Sequence, residues 1–150
     1  INATGVVAFG NFADLDSDTL LKLFAVNVTG PMSLVQGLIG RLKESAASGN
    51  DPFIVNISGV VAESPMAGLG AYSASKSALY AFDQAITREL RRDGIRVIDA
   101  RPGHTETGLA TRAIAGQAPT FPQGMTPEHV VSRIVKAIVQ DEKDLPSSSF

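Results

Sequence analysis

The chain has 150 residues, 44% hydrophobic and 19% charged, which is enough apolar material for one packed domain and too little charge for disorder. Thirteen basic against 15 acidic residues leave a formal charge of -2, with no strong field to attract nucleic acid or an anionic membrane surface. With no Cys and two His, the composition excludes disulfides, thiolate metal sites and a Cys nucleophile, and no metal centre is expected.

The opening INATGVVAFG reads as the end of a buried strand and its loop, so the chain is expected to start in mid-domain. Asp14 to Asp18 is a helix start, with Asp16 or Ser17 as the cap. From Thr19 to Ala47, apolar residues recur at three- and four-residue spacing and predict one long helix, kinked at Gly30-Pro31. Phe53 to Ile57 reads as a strand buried on both faces, followed by a glycine-containing loop to Gly70. Ala71 to Arg92 is a helix ended by Gly94, and Ile95 to Ala100 is a second buried strand stopped by Pro102-Gly103. Residues 103–124 are irregular, with one short helix possible and the glycines and prolines of a lid. Thr126 caps a last helix that starts with Pro127 and runs to about Gln140, and the tail has room for a strand around Leu145. No apolar run approaches the roughly 20 residues of a bilayer span, and no signal peptide is visible. The expected location is the cytoplasm, to which the lack of disulfides is suited.

Short buried strands alternating with helices predict a parallel sheet covered on both faces. Such sheets bind ligands beyond the C-terminal ends of their strands, so the loops after the strands are where chemistry is expected.

The strongest chemical signal is Tyr72-Ser73-Ala74-Ser75-Lys76 at the start of a helix. Residues four apart share a helical face. A phenol titrates near about 10 and is a poor base at neutral pH. A nearby ammonium favours the phenolate and lowers that value, which lets the pair exchange a proton with an alcohol or carbonyl. Alone, such a pair is common by chance. It is joined here by Asn2 after the first strand, Asn27 in a helix, a hydroxyl-bearing turn after Phe53 to Ile57, and Pro102-Gly103 with Thr105 and Thr107 after the next strand.

In order and spacing these segments resemble the short-chain dehydrogenases/reductases. INATG is similar to the strand motif NNAG, with Ala3 and Thr4 in place of its second Asn and its Ala; NVTG, IVNISG, YSASK and RPGHTET match the remaining motifs. The resemblance implies a Rossmann-like, doubly wound α/β fold in three layers, with residues 1–150 as the C-terminal part of a single NAD(P)-binding domain. It implies an oxidoreductase that interconverts an alcohol and a ketone or aldehyde using NAD or NADP. On this resemblance the catalytic residues are Asn27, Ser58, Tyr72 and Lys76. Tyr72 is the general acid/base, Lys76 lowers its pKa and binds the nicotinamide ribose, and Asn27 holds a water between Lys76 and solvent. Asn2, Gly5, Tyr72, Lys76, Pro102, Gly103, Thr105 and Thr107 contact the cofactor. The implied partners are a small carbonyl or alcohol substrate and a second or further copies, as homodimer or homotetramer, joined through the outer faces of the two long helices.

Two departures stand out. The family's serine lies thirteen residues before its tyrosine, which falls here on Gly59; either Ser58, one residue earlier, does the work, or the site lacks its serine. Ser64 is a weaker substitute. The glycine-rich pyrophosphate turn of the family's first half is absent from these residues. Gly59 keeps a second reading open, a catalytically impaired scaffold that binds nucleotide. A serine hydrolase is disfavoured because no G-x-S-x-G elbow precedes a helix. Phe9, Phe12, Met66, Phe121 and Met125 are candidates for an apolar substrate pocket, and His104 for a hydrogen bond within the loop after Pro102-Gly103.

Overall fold

The structure, a computed structural model, describes residues 1–150. Two five-residue segments and one dipeptide form the sheet: β1 (Phe53–Ile57), β2 (Arg96–Ala100) and β3 (Asp144–Leu145). All are parallel in the order β1-β2-β3, with Phe53 opposite Arg96 and Asp99 opposite Asp144. On the other side of β1 the opening residues add a bridge from Asn2 to Asn56. They continue through a second bridge between Ala8 and Ala115, so the expected first strand is present only as isolated pairings.

Four helices surround the sheet: α1 (Ser17–Phe24), α2 (Gly30–Ala47), α3 (Gly70–Leu90) and α4 (Pro127–Val139). Asp16, not Ser17, caps α1 by accepting the Thr19 N–H, and Thr126 caps α4 by accepting the His129 N–H. Between α1 and α2 the helix widens into a π turn over Ala25–Thr29, closed by the Gly30 N–H on the Ala25 carbonyl. The disturbance expected at Gly30-Pro31 is this π turn. Pro31 has no N–H for the carbonyl four residues back, so the ordinary pairing is lost there.

Side chains alternate across the sheet and build two cores. Ile54 and Val97 pack with Val35, Ile86 and Leu90 from α2 and α3. Val55, Ile98 and Ala100 pack with Val130, Ile134 and Ala137 of α4. This is the three-layer arrangement expected from the alternation of elements. Ser17–Ala47 forms one continuous 31-residue helical rod with a mean hydropathy of 1.3 over its most apolar stretch. By length and composition it reaches what a bilayer span needs, although no unbroken apolar run within it does. Core helices meet the same criterion, and Leu23, Val28 and Val35 of this one are buried in the fold.

Candidate active site

Parallel strands bring the ends of β1 and β2 to one edge, and the loops that follow them close around a cavity of 370 Å³. The Val60 N–H donates to the Pro102 carbonyl, and the Ser58 and Gly59 N–H groups both donate to the Ala100 carbonyl, tying the two loops together. Helix α3 begins at this edge and carries Tyr72 and Lys76 into the cavity wall.

Lys76 Nζ lies 6.0 Å from the Tyr72 ring centroid and donates to the Ile57 carbonyl at 2.7 Å. Lys76 is buried, and only one of its three N–H groups has an acceptor within the chain. The remaining donors sit at the cavity, a demand that the hydroxyls of a sugar would satisfy. Burial pushes Tyr72 up to about 12. Burial also brings Lys76 down to about 8, against the charge of Asp99, which raises it.

Asn27, in the π turn, is fully buried and clamps the opening segment: its Oδ1 accepts the Val6 N–H, and its Nδ2 donates to the Val6 carbonyl and to Ser75 Oγ. Gly5 lies between Asn27 and Lys76, so that an added Cβ would sit 3.5 Å from each polar tip. Gly5, Pro102, Gly103, Thr105 and Thr107 all line the cavity. The Thr105 hydroxyl is turned back to the Gly103 carbonyl. Asn2 does not line the cavity. Its Nδ2 donates to Asn56 Oδ1 and its Oδ1 accepts the Thr4 N–H, so it shapes the segment instead.

Ser58 borders the cavity but is wholly buried, and its hydroxyl donates to Asp99 Oδ1 at 2.9 Å. The expectation that Ser58 offers the family's serine hydroxyl is corrected on this point. The alternation of β1 carries Asn56 and Ser58 to the α3 side, where Asp99 stands. Gly59 adopts φ 84°, ψ 163°, a backbone region reserved almost entirely for glycine. Ser64 is exposed and outside the cavity.

Of the candidate pocket residues, Phe9, Met66 and Phe121 line the cavity, while Phe12 and Met125 do not. Phe12 is exposed beside α1, and Met125 packs against the α4 core. His104 lines the cavity with its ring stacked on Phe121, centroids 4.8 Å apart.

A charged cluster centred on the buried Arg101 and Asp99 is not evident from the sequence. Arg101, 2% exposed, meets Asp99, Glu63 and Asp144, and its guanidinium lies 4.2 Å from the Tyr80 ring centroid. Burial lowers its pKa, but hydrogen bonds to Asp144, Glu63 and Asp99 raise it further, so it stays charged. Asp99 also faces Asp83, and one oxygen of each carboxyl has no hydrogen-bond partner. The signal was present as a charged residue inside a strand read as buried, Asp99, and another directly after it, Arg101.

Comparison with known proteins agrees with this geometry. Residues 1–118 match the short chain dehydrogenase family. The chain is 29% identical to the dehydrogenase/reductase SDR family protein 7-like of Anopheles gambiae over 97% of its own length and 47% of the relative's. It is 30% identical to the 2,3-dihydro-2,3-dihydroxybenzoate dehydrogenase of Escherichia coli over 73% of its own length and 42% of that protein. The chain thus spans about half the length of the curated relatives it matches. Among solved structures it superposes on a short-chain dehydrogenase from Sphingobium yanoikuyae in complex with NADPH, with a TM-score of 0.82 and 25% identity over 96% of this chain and 54% of that one. With the motifs, the three-layer sheet and the family match in agreement, the chain belongs to the short chain dehydrogenase family.

Proposed function

We propose that the full-length protein is an oxidoreductase that interconverts an alcohol with a ketone or aldehyde, using NAD or NADP and Tyr72 as general acid/base. One observation carries the reading: Tyr72 and Lys76 stand one turn apart in the wall of a 370 Å³ cavity, and Lys76 has donors to spare there. When bound, the nicotinamide supplies the hydride for reduction and accepts it in oxidation. Lys76 would hold its ribose, and Gly5, Pro102, Gly103, Thr105 and Thr107 would contact it. Burial keeps the Tyr72 phenol protonated at neutral pH, so Tyr72 Oη is loaded to give its proton to a carbonyl oxygen as the alcohol forms. Asn27 fixes the opening segment, whose Gly5 and Val7 line the cavity, by holding Val6 at both its N–H and its carbonyl. The walls around Tyr72 are apolar, with Val60, Val61, Leu69 and Phe121, and they exclude water from the proton transfer. Leu21, Leu34 and Leu38, exposed on α1 and α2, offer the apolar surface for contact with a second copy.

Gly59 supports a second reading, a nucleotide-binding scaffold without turnover. It leaves Tyr72 as the one neutral side-chain O–H donor of the expected set not turned inward, apart from the threonines of the cofactor loop. The test is kinetic. The full-length protein is titrated with NADH and NADPH by fluorescence, then assayed on a carbonyl panel at the reduced-nicotinamide absorbance band. Tyr72→Phe is expected to lose more than about a hundredfold in kcat while cofactor binding is retained. Cofactor binding with no turnover on any carbonyl favours the scaffold, and binding of neither cofactor rejects both readings.

A further inference from the structure

Of the 23 residues lining the cavity, none is Asp or Glu, and the two formal cations are Lys76 and Arg112. Lys76 is deep and buried; Arg112 is exposed, at the end of the short turn Ala110–Arg112 in the loop after β2. The Arg112 guanidinium is oriented but not neutralised. Its Nε donates to the Gly108 carbonyl at 3.1 Å and its Nη2 to the Thr107 carbonyl at 3.3 Å. No carboxylate reaches it, whereas Arg96, Arg101 and Arg133 each pair with at least one. The nearest acid in sequence, Glu106, is occupied by the Gly124 N–H and the His104 ring. A guanidinium held through Nε and Nη2 by neutral carbonyls has its Nη1 donors left for a planar oxyanion.

Resting on the oxidoreductase reading above, we propose that the substrate is a carbonyl or alcohol compound with an apolar body and a carboxylate, and that Arg112 receives that carboxylate at the cavity rim. The apolar part lies against Val60, Val61, Leu69, Leu109 and Phe121. The cavity, at 370 Å³, suits a small molecule of this kind. An oxyanion at Arg112 has two possible sources, a substrate carboxylate or a phosphate of the dinucleotide, and the test separates them.

The experiment uses the full-length protein and a matched pair of probes, 4-oxo-4-phenylbutanoate and its carboxamide. Calorimetry with saturating cofactor gives their affinities for the wild type, Arg112→Met and Arg112→Lys. Cofactor affinity is measured separately by fluorescence. The wild type is expected to bind the acid at least about tenfold more tightly than the amide, a difference of about 1.4 kcal/mol. Arg112→Met is expected to erase that preference, Arg112→Lys to restore part of it, and cofactor affinity to stay unchanged. Loss of cofactor affinity in Arg112→Met with no acid preference in the wild type places a dinucleotide phosphate at Arg112 and overturns the proposal. Equal binding of acid and amide by the wild type also overturns it. Arg112 is exposed and bonded only to its own loop, so the variants are expected to fold, which unchanged melting temperatures verify. The calorimetry needs no turnover, so a protein that binds cofactor but reduces nothing fails the oxidoreductase reading while still reporting on Arg112.

Discussion

Replacing Asp83 by Asn tests the buried carboxyl pair beneath the site. Asp83 is 1% exposed and accepts a hydrogen bond from Asn56 Nδ2 at 2.6 Å, while its second oxygen and that of Asp99 have no partner. Burial pushes the Asp83 carboxyl up from 3.8 to about 8; Asn56 opposes this, and the charge of Asp99 adds to it. The folded value therefore lies above the unfolded one. Such a group's stabilising contribution is full below 3.8 and is lost as pH rises towards about 8. Across that window the folded state holds one proton that the unfolded chain has released. The wild type should then lose up to about 1.4 kcal/mol per pH unit relative to a variant without the titration. The amide introduced by Asp83→Asn keeps an oxygen for Asn56 and presents an N–H to Asp99 Oδ2, a charged hydrogen bond contributing about 1.5–3 kcal/mol. Urea unfolding followed by far-UV circular dichroism, at about pH 5.5 and about pH 7.5, reads both effects. The variant is expected to be the more stable at the higher pH, with the gap narrowing at the lower. A less stable variant at neutral pH, or a gap that ignores pH, refutes the reasoning.

Two glycines give further tests. A Cβ on Gly116 would lie 1.9 Å from the Phe9 carbonyl oxygen, on a backbone with φ 67°. Gly116→Ala should therefore force the 114–116 segment away from the opening residues and lower stability by about 1–3 kcal/mol or more, read as a fall in melting temperature; an unchanged melt rejects the close approach. Gly59→Ser places the family's residue at φ 84° and ψ 163°, with room for its Cβ 3.7 Å from the Pro102 carbonyl oxygen. The cost is expected to be backbone strain of about 1–3 kcal/mol, measured by urea unfolding; a Gly59→Ser variant as stable as the parent rejects that backbone conformation.

Much of this site was legible in the sequence because the information is local. The helical spacing of Tyr72 and Lys76 puts them on one face in any helix. The apolar runs at 53–57 and 95–100 have few other fates than buried strands, and Thr126-Pro127 specifies a helix start through its own side chain and ring. The family's motifs read in the same way, as fixed residues at fixed separations. Other features arise from groups brought together over long separations. Whether Ser58 faces the cavity depends on Asp99 waiting on the next strand, 41 residues away, to take its hydroxyl. The state of Tyr72 depends on how completely the fold removes it from water, which spacing to Lys76 does not reveal. Asp83, Arg101, Glu63 and Asp144 are scattered along the sequence, and only the packing of β2 against α3 and the tail joins them to Asp99, with Asp83, Asp99 and Arg101 buried and Glu63 and Asp144 reaching Arg101 from the surface. The sequence by itself determined the main helices and the strands at 53–57 and 96–100 and their order, because helix and strand periodicity is a property of neighbours in the chain. Tertiary structure alone decided which polar groups face the cavity and which are buried against one another, because burial and pairing belong to neighbours in space.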